Sequence, residues 1–116
     1  MIKVIILGSG NVASHLIKAM EANPTIDLVQ VYARSKKSLE NVIDLNKITT
    51  SFTALKEADV YVISVSDKAI EEVSNQIPFS DKLVVHTSGT MDFNVINPKN
   101  KRGVFYPLQT FSKNKE

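Results

Sequence analysis

The 116 residues are 43% hydrophobic and 22% charged, enough apolar surface for one domain with a buried core and too much for a disordered chain. Fourteen Lys and Arg against twelve Asp and Glu leave a formal charge of +2, too weak to imply a nucleic-acid partner. No apolar run approaches the ~18–20 residues of a membrane span or the ~7–15 of a secretory core, and the absence of cysteine excludes disulfides, zinc thiolates and cysteine nucleophiles.

There is no internal repeat and no low-complexity stretch. Strand-like and helix-like segments alternate instead. Residues 3–7 form a nearly unbroken β-branched run, followed by Gly8-Ser9-Gly10 and then Val12, Ala13, Leu16, Ile17 and Met20 at offsets that share one helix face. Asn23-Pro24 ends that helix, because proline cannot continue it. Residues 28–33 read as a second strand, and Leu39, Val42 and Ile43 mark a short second helix. A minimal third strand is expected at 48–50, with Leu55 and Ala58 on a helical turn after it. Residues 60–65 are another β-branched run. Asp67 is placed to cap the next helix, with Glu71 and Glu72 near its positive end and Ile70, Val73 and Ile77 facing inward. Residues 82–86 and 103–106 supply two more strands, joined by a loop with one turn around 93–96.

Strands alternating with amphipathic helices predict βαβ units, and continuous apolar strands predict a sheet covered on both faces. The expected fold is therefore α/β: a Rossmann-type, doubly wound, mostly parallel sheet of six strands in the order 3-2-1-4-5-6.

Gly8-Ser9-Gly10-Asn11-Val12-Ala13 is a G-x-G-x-x-A fingerprint. Such a pattern is weak alone, but here it follows a buried strand and opens a helix, the context a dinucleotide site requires. Gly8 permits the tight turn, Gly10 lets backbone approach a pyrophosphate, and Ala13 lets the helix lie close to the strand. A purely structural strand-to-helix turn is the plainer alternative. At the end of the second strand, where an NAD site usually carries Asp or Glu, stands Tyr32-Ala33-Arg34-Ser35-Lys36-Lys37, with no acid. Arg34 can take a 2′-phosphate bidentately, Ser35 can donate a further hydrogen bond, and Lys36 or Lys37 adds charge. The cofactor this favours is NADP(H) over NAD.

These stretches, together with Val65-Ser66-Asp67-Lys68-Ala69-Ile70, resemble the 6-phosphogluconate dehydrogenase-like superfamily, with pyrroline-5-carboxylate reductase and the deazaflavin-dependent NADP reductases as nearer branches. His86-Thr87-Ser88-Gly89 and Tyr106-Pro107-Leu108-Gln109-Thr110-Phe111 narrow the resemblance to an uncharacterised family of oxidoreductase-like proteins. Members of that family join a Rossmann-like domain to a C-terminal helical one. Tyr106 departs from the pattern, since many relatives carry histidine there. The resemblance implies that Val65 and Ser66 border the cofactor ribose. It also implies that a helical domain would follow the Pro-Leu-Gln segment, closing the substrate site and providing much of a homodimer interface. That domain is absent from these 116 residues, so the expectation is one cofactor domain, inactive alone, self-associating through Phe105, Leu108 and Phe111.

His86 ends the fifth strand on the ligand-facing edge and, with Ser88, is a weak candidate for contact with nicotinamide or substrate. His15 reads as surface or packing. No nucleophilic triad and no metal-ligand cluster is indicated. Two functions remain open at this point. One is a domain holding NADP(H) for hydride transfer with a small carbonyl or imine substrate. The other is a nucleotide-sensing module without turnover. Neither needs nucleic acid or membrane, and the cytoplasm is the expected compartment.

Overall fold

The computed structural model describes residues 1–105. They form one six-stranded sheet in the order β3-β2-β1-β4-β5-β6, as expected from the sequence. The strands are β1 (Ile2–Leu7), β2 (Ile26–Tyr32), β3 (Ile48–Thr49), β4 (Val60–Ile63), β5 (Leu83–His86) and β6 (Lys101–Val104). Every neighbouring pair is parallel. Two α-helices, α1 (Asn11–Glu21) and α2 (Ile70–Asn75), lie on opposite faces.

Alternation along β1 explains the two layers. Val4 and Ile6 point to one face, where they pack with Ala13, Leu16 and Ile17 of α1 and with Leu28 and Val31. Ile5 and Leu7 point to the other, against Ile70 and Val73 of α2, Tyr61, Ile63 and Ile77. A strand buried on both sides has no polar position to alternate with, which is why it reads as a continuous apolar run.

Three expected elements take a different form. Leu39 and Ile43 are buried at helical spacing, but the segment is a 3₁₀ turn at Lys36–Leu39 followed by irregular turns. The Ser35 hydroxyl accepts from the Lys37 N–H and begins the turn, while the Asp44 carboxylate accepts from the Asn46 N–H and begins another at Leu45–Lys47. Only about two helical turns fit between these caps, too few to repay nucleation. Leu55 and Ala58 are likewise not helical; the 3₁₀ turn covers Phe52–Ala54. The buried Gln30 amide takes the Ala54 carbonyl and the Lys56 N–H, and the Tyr61 hydroxyl takes the Lys56 carbonyl and the Ala58 N–H. Backbone groups that a helix would pair are thus already engaged. Asp67, finally, does not cap: its carboxylate accepts from the Thr90 hydroxyl, and Ser66 holds the cap position without a side-chain bond.

The turn expected around 93–96 is present at Phe93–Val95. Phe105 is partly buried against the α1-side layer. The strand expected at 103–106 runs over Lys101–Val104 instead, and Leu108, Phe111 and the Tyr106-Pro107-Leu108-Gln109-Thr110-Phe111 stretch lie outside the described residues. Among the described residues no helix is long and apolar enough to cross a membrane.

Candidate functional site

All six strands run the same way, so their carboxyl ends share one edge, and the order reverses between β1 and β4. A cleft of about 620 Å³ opens there. Residues after four different strands line it: Gly8, Ser9, Gly10, Asn11 and Val12 after β1, Tyr32, Ala33 and Arg34 at β2, Ser64, Val65, Ser66 and Asp67 after β4, and Thr87 and Ser88 after β5. Crevices at the switch point of an open α/β sheet are where such folds bind ligands.

Gly8 has φ +142, a backbone conformation side chains avoid. Its N–H continues the β1–β2 ladder to the Tyr32 carbonyl at 2.9 Å, while the Ser64 N–H reaches the Leu7 carbonyl at 2.8 Å. The glycine thus draws the ends of β2, β1 and β4 together under the cleft. Gly10 differs. Its backbone is extended (φ −78, ψ −169), and a Cβ there would meet nothing within 4 Å. The open space above Gly10 lies at the start of α1, whose first turn has neither a side-chain cap nor an acidic residue. Amides without intrahelical partners facing open space fit the pyrophosphate of a dinucleotide. Ala13 does not line the cleft; it is fully buried between α1 and β1, where its small size lets the helix approach.

Arg34 lines the cleft from the end of β2 and is exposed. The ion pairs among the described residues join Lys47 to Glu21 and Lys82 to Glu57, so no carboxylate holds the Arg34 guanidinium. Ser35 and Lys36 follow it, exposed, just outside the cleft lining. The Ser35 hydroxyl oxygen accepts from the Lys37 N–H at 3.2 Å, and its own proton remains to donate. Beside Arg34, the rings of Tyr32 and Phe52 stack with centroids 4.1 Å apart and planes at 24°. Both line the cleft, with Ala69, Glu72, Val73 and Gln76 of the α2 side opposite. This apolar, flat-walled end suits a purine base. Sequence reasoning missed Phe52, Glu72 and Gln76, because none belongs to a local motif.

The other end is hydroxyl-rich. Thr87 Oγ donates to Ser64 Oγ at 3.3 Å. Asp67 Oδ2 accepts from Thr90 Oγ at 2.7 Å, and hydrogen bonds from Thr90 first, then Ser88, hold its carboxyl below the ordinary carboxylate range. His86 lies beneath this wall and is fully buried. Its Nδ1 accepts from the Ser88 N–H at 3.1 Å, so the proton sits on Nε2, which is 3.0 Å from the Asp92 carbonyl. Both ring nitrogens therefore brace the loop after β5, and the ring does not reach the cleft. Ser88 does.

The family model for NADP oxidoreductase coenzyme F420-dependent matches residues 3–89. No curated protein matches the chain. Among solved structures, a Bacteroides fragilis protein assigned as an NADP oxidoreductase superposes with a TM-score of 0.76 at 32% identity, covering 99% of this chain and 47% of that one. The chain thus spans about half the length of that relative. Prephenate dehydrogenase from A. aeolicus, in complex with hydroxyphenyl propionate and NAD+, has a TM-score of 0.69 at 18% identity over 86% of this chain and 40% of its own. The 3-ketoreductase KijD10 from Actinomadura kijaniata, in complex with NADP, has a TM-score of 0.63 at 17% identity over 81% and 32%. These last two share the fold. The cofactor expected from the sequence, NADP(H), is the one for which the matching family is named.

Proposed function

The chain belongs to the NADP oxidoreductase coenzyme F420-dependent family, and we propose that it is the part of such an enzyme that holds NADP(H) for hydride exchange with a small carbonyl or imine. The observation that carries this reading is the pairing of two features across one cleft. Unobstructed helix amides lie at Gly10, and an arginine without a carboxylate partner lies at the end of β2. The first suits a pyrophosphate and the second a 2′-phosphate, and a carboxylate at the second position would repel that phosphate.

The residues would divide the cofactor as follows. The backbone of residues 10–12 would hold the pyrophosphate, and Arg34 with Ser35 and Lys36 the 2′-phosphate. Tyr32, Phe52 and Val73 would flank the base. Val65, Ser66, Thr87 and Ser88 would border the remaining half, toward β4 and β5. When bound, NADPH would supply the hydride, and the described residues lining the cleft would orient it. Absorbance-monitored NADPH oxidation by a longer chain spanning the full length of the Bacteroides fragilis relative, screened against small aldehydes, ketones and cyclic imines, tests the reaction. Turnover with one of these classes is expected. NADPH binding without turnover on any of them would overturn the hydride-exchange reading and leave the holding role.

A further inference from the structure

The loop after β5 is fixed twice, once from beneath and once from the side. From beneath, His86 takes the Ser88 N–H on one nitrogen and faces the Asp92 carbonyl with the other. Within the loop, Ser88 Oγ accepts from the N–H groups of Thr90 and Met91, both at 3.2 Å. From the side, Thr90 donates its hydroxyl proton to Asp67, which stands across the cleft margin at the start of the segment leading into α2.

A hydroxyl has one proton, and an ionised carboxylate only accepts. Thr90 gives its proton to Asp67, and the single Ser88 proton is shared between Thr90 Oγ, 3.2 Å away, and the same carboxylate. Thr87 likewise gives its proton to Ser64. The Thr87, Ser88 and Thr90 protons are therefore all turned along the wall; Ser88 Oγ, which already accepts two N–H bonds, has no lone pair left, and the free acceptor at the cleft is Thr87 Oγ. The nicotinamide half of the cofactor carries donors, namely two ribose hydroxyls and a carboxamide NH₂.

We propose that the Thr90 to Asp67 hydrogen bond, which ties the loop after β5 to the segment after β4, is a positioning contact for the nicotinamide half of the cofactor, holding that loop so that Thr87 meets the cleft as an acceptor. The proposal rests on the cofactor reading above. Asp67 and Thr90 are both exposed, so removing the bond leaves the core intact. The depressed Asp67 pKa keeps the acceptor charged near neutral pH.

The test compares two ligands on the 116-residue chain by calorimetric titration: NADPH, and 2′,5′-ADP, which lacks the nicotinamide half. Thr90→Val removes the hydroxyl at nearly constant volume. It is expected to weaken NADPH by about 3- to 10-fold, as fits one exposed, charge-assisted bond, and to leave 2′,5′-ADP unchanged; Thr90→Ser should restore NADPH. The proposal is overturned if Thr90→Val leaves NADPH affinity unchanged, if both ligands weaken together, or if Thr90→Ser does not rescue. Wild-type chain that binds neither ligand would overturn the cofactor reading itself, and this proposal with it.

Discussion

A Cβ on Gly8 would be driven into the carbonyl of Ser64, the residue that follows β4. The two glycines of the fingerprint therefore have separate tasks. Gly8 lets the ends of β1 and β4 close together, and Gly10 keeps the space above the helix start clear. Gly8→Ala must displace Ser64 and also adopt a positive φ, which alone costs about 1–3 kcal/mol. We expect a clear fall in Tm for Gly8→Ala, with or without nucleotide, measured by thermal unfolding.

Gly10→Val should behave in the opposite way. Its backbone is already extended and its Cβ meets nothing, so the fold should keep its Tm. The branched side chain would occupy the pyrophosphate position and withdraw two or so charge-assisted hydrogen bonds. A loss of NADPH affinity of about 100-fold or more is expected. Calorimetry on the folded variant checks it; an unchanged affinity would move the pyrophosphate elsewhere.

Arg34 decides the choice between the two nicotinamide cofactors. Hydrogen bonds to charged groups are worth roughly 1.5–3 kcal/mol, so Arg34→Ala should weaken NADPH by about 10- to 150-fold and leave NADH nearly unaffected. Parallel titrations with both cofactors give the ratio directly. A wild-type chain that prefers NADH would contradict this role.

Much of this was legible in the sequence. The order of the six strands followed from strands alternating with amphipathic helices in a Rossmann-type pattern. The β-branched runs, too continuous for a half-exposed sheet, showed that both faces are covered, and the fingerprint located the cleft to within a residue. Other features were hidden because they depend on distant partners. Tyr32 and Phe52 meet only because parallel pairing of β2 with β3 carries the chain back beside itself. Asp67 looks like a cap from its neighbours, yet Thr90, distant in sequence, takes its carboxylate. The apolar spacing of Leu39 and Ile43 signals burial, which an irregular segment achieves as well as a helix. His86 sits on the ligand edge by register, but the loop above it covers the ring.

Tyr61 is a titratable group buried in the core. Burial pushes the Tyr61 phenol above the usual tyrosine range; the Ala58 N–H works against that shift and the Glu57 charge adds to it. Its hydroxyl donates to the Lys56 carbonyl at 2.8 Å and accepts from the Ala58 N–H at 3.0 Å. Tyr61→Phe should cost about 1–3 kcal/mol at neutral pH, since it leaves the Ala58 donor unpaired. A phenol whose folded pKa is raised contributes stability below its unfolded value and loses it as pH rises through the folded value. In alkaline denaturant titrations the wild-type advantage over Tyr61→Phe should therefore shrink; a constant difference would show that the phenol does not titrate differently on folding.

The most direct measurement is a nitrogen-15 NMR titration of the 116-residue chain with NADPH. If the cofactor lies across the switch point, amide shifts should concentrate at residues 8–12, Arg34, 64–67 and 87–88, with Gly10 and Asn11 among the largest. The amides of Asp59 and Lys82, at the opposite edge of the sheet, should stay still. Saturable binding that instead perturbs that opposite edge, or no perturbation at residues 8–12, would contradict the assignment of this cleft to NADP(H).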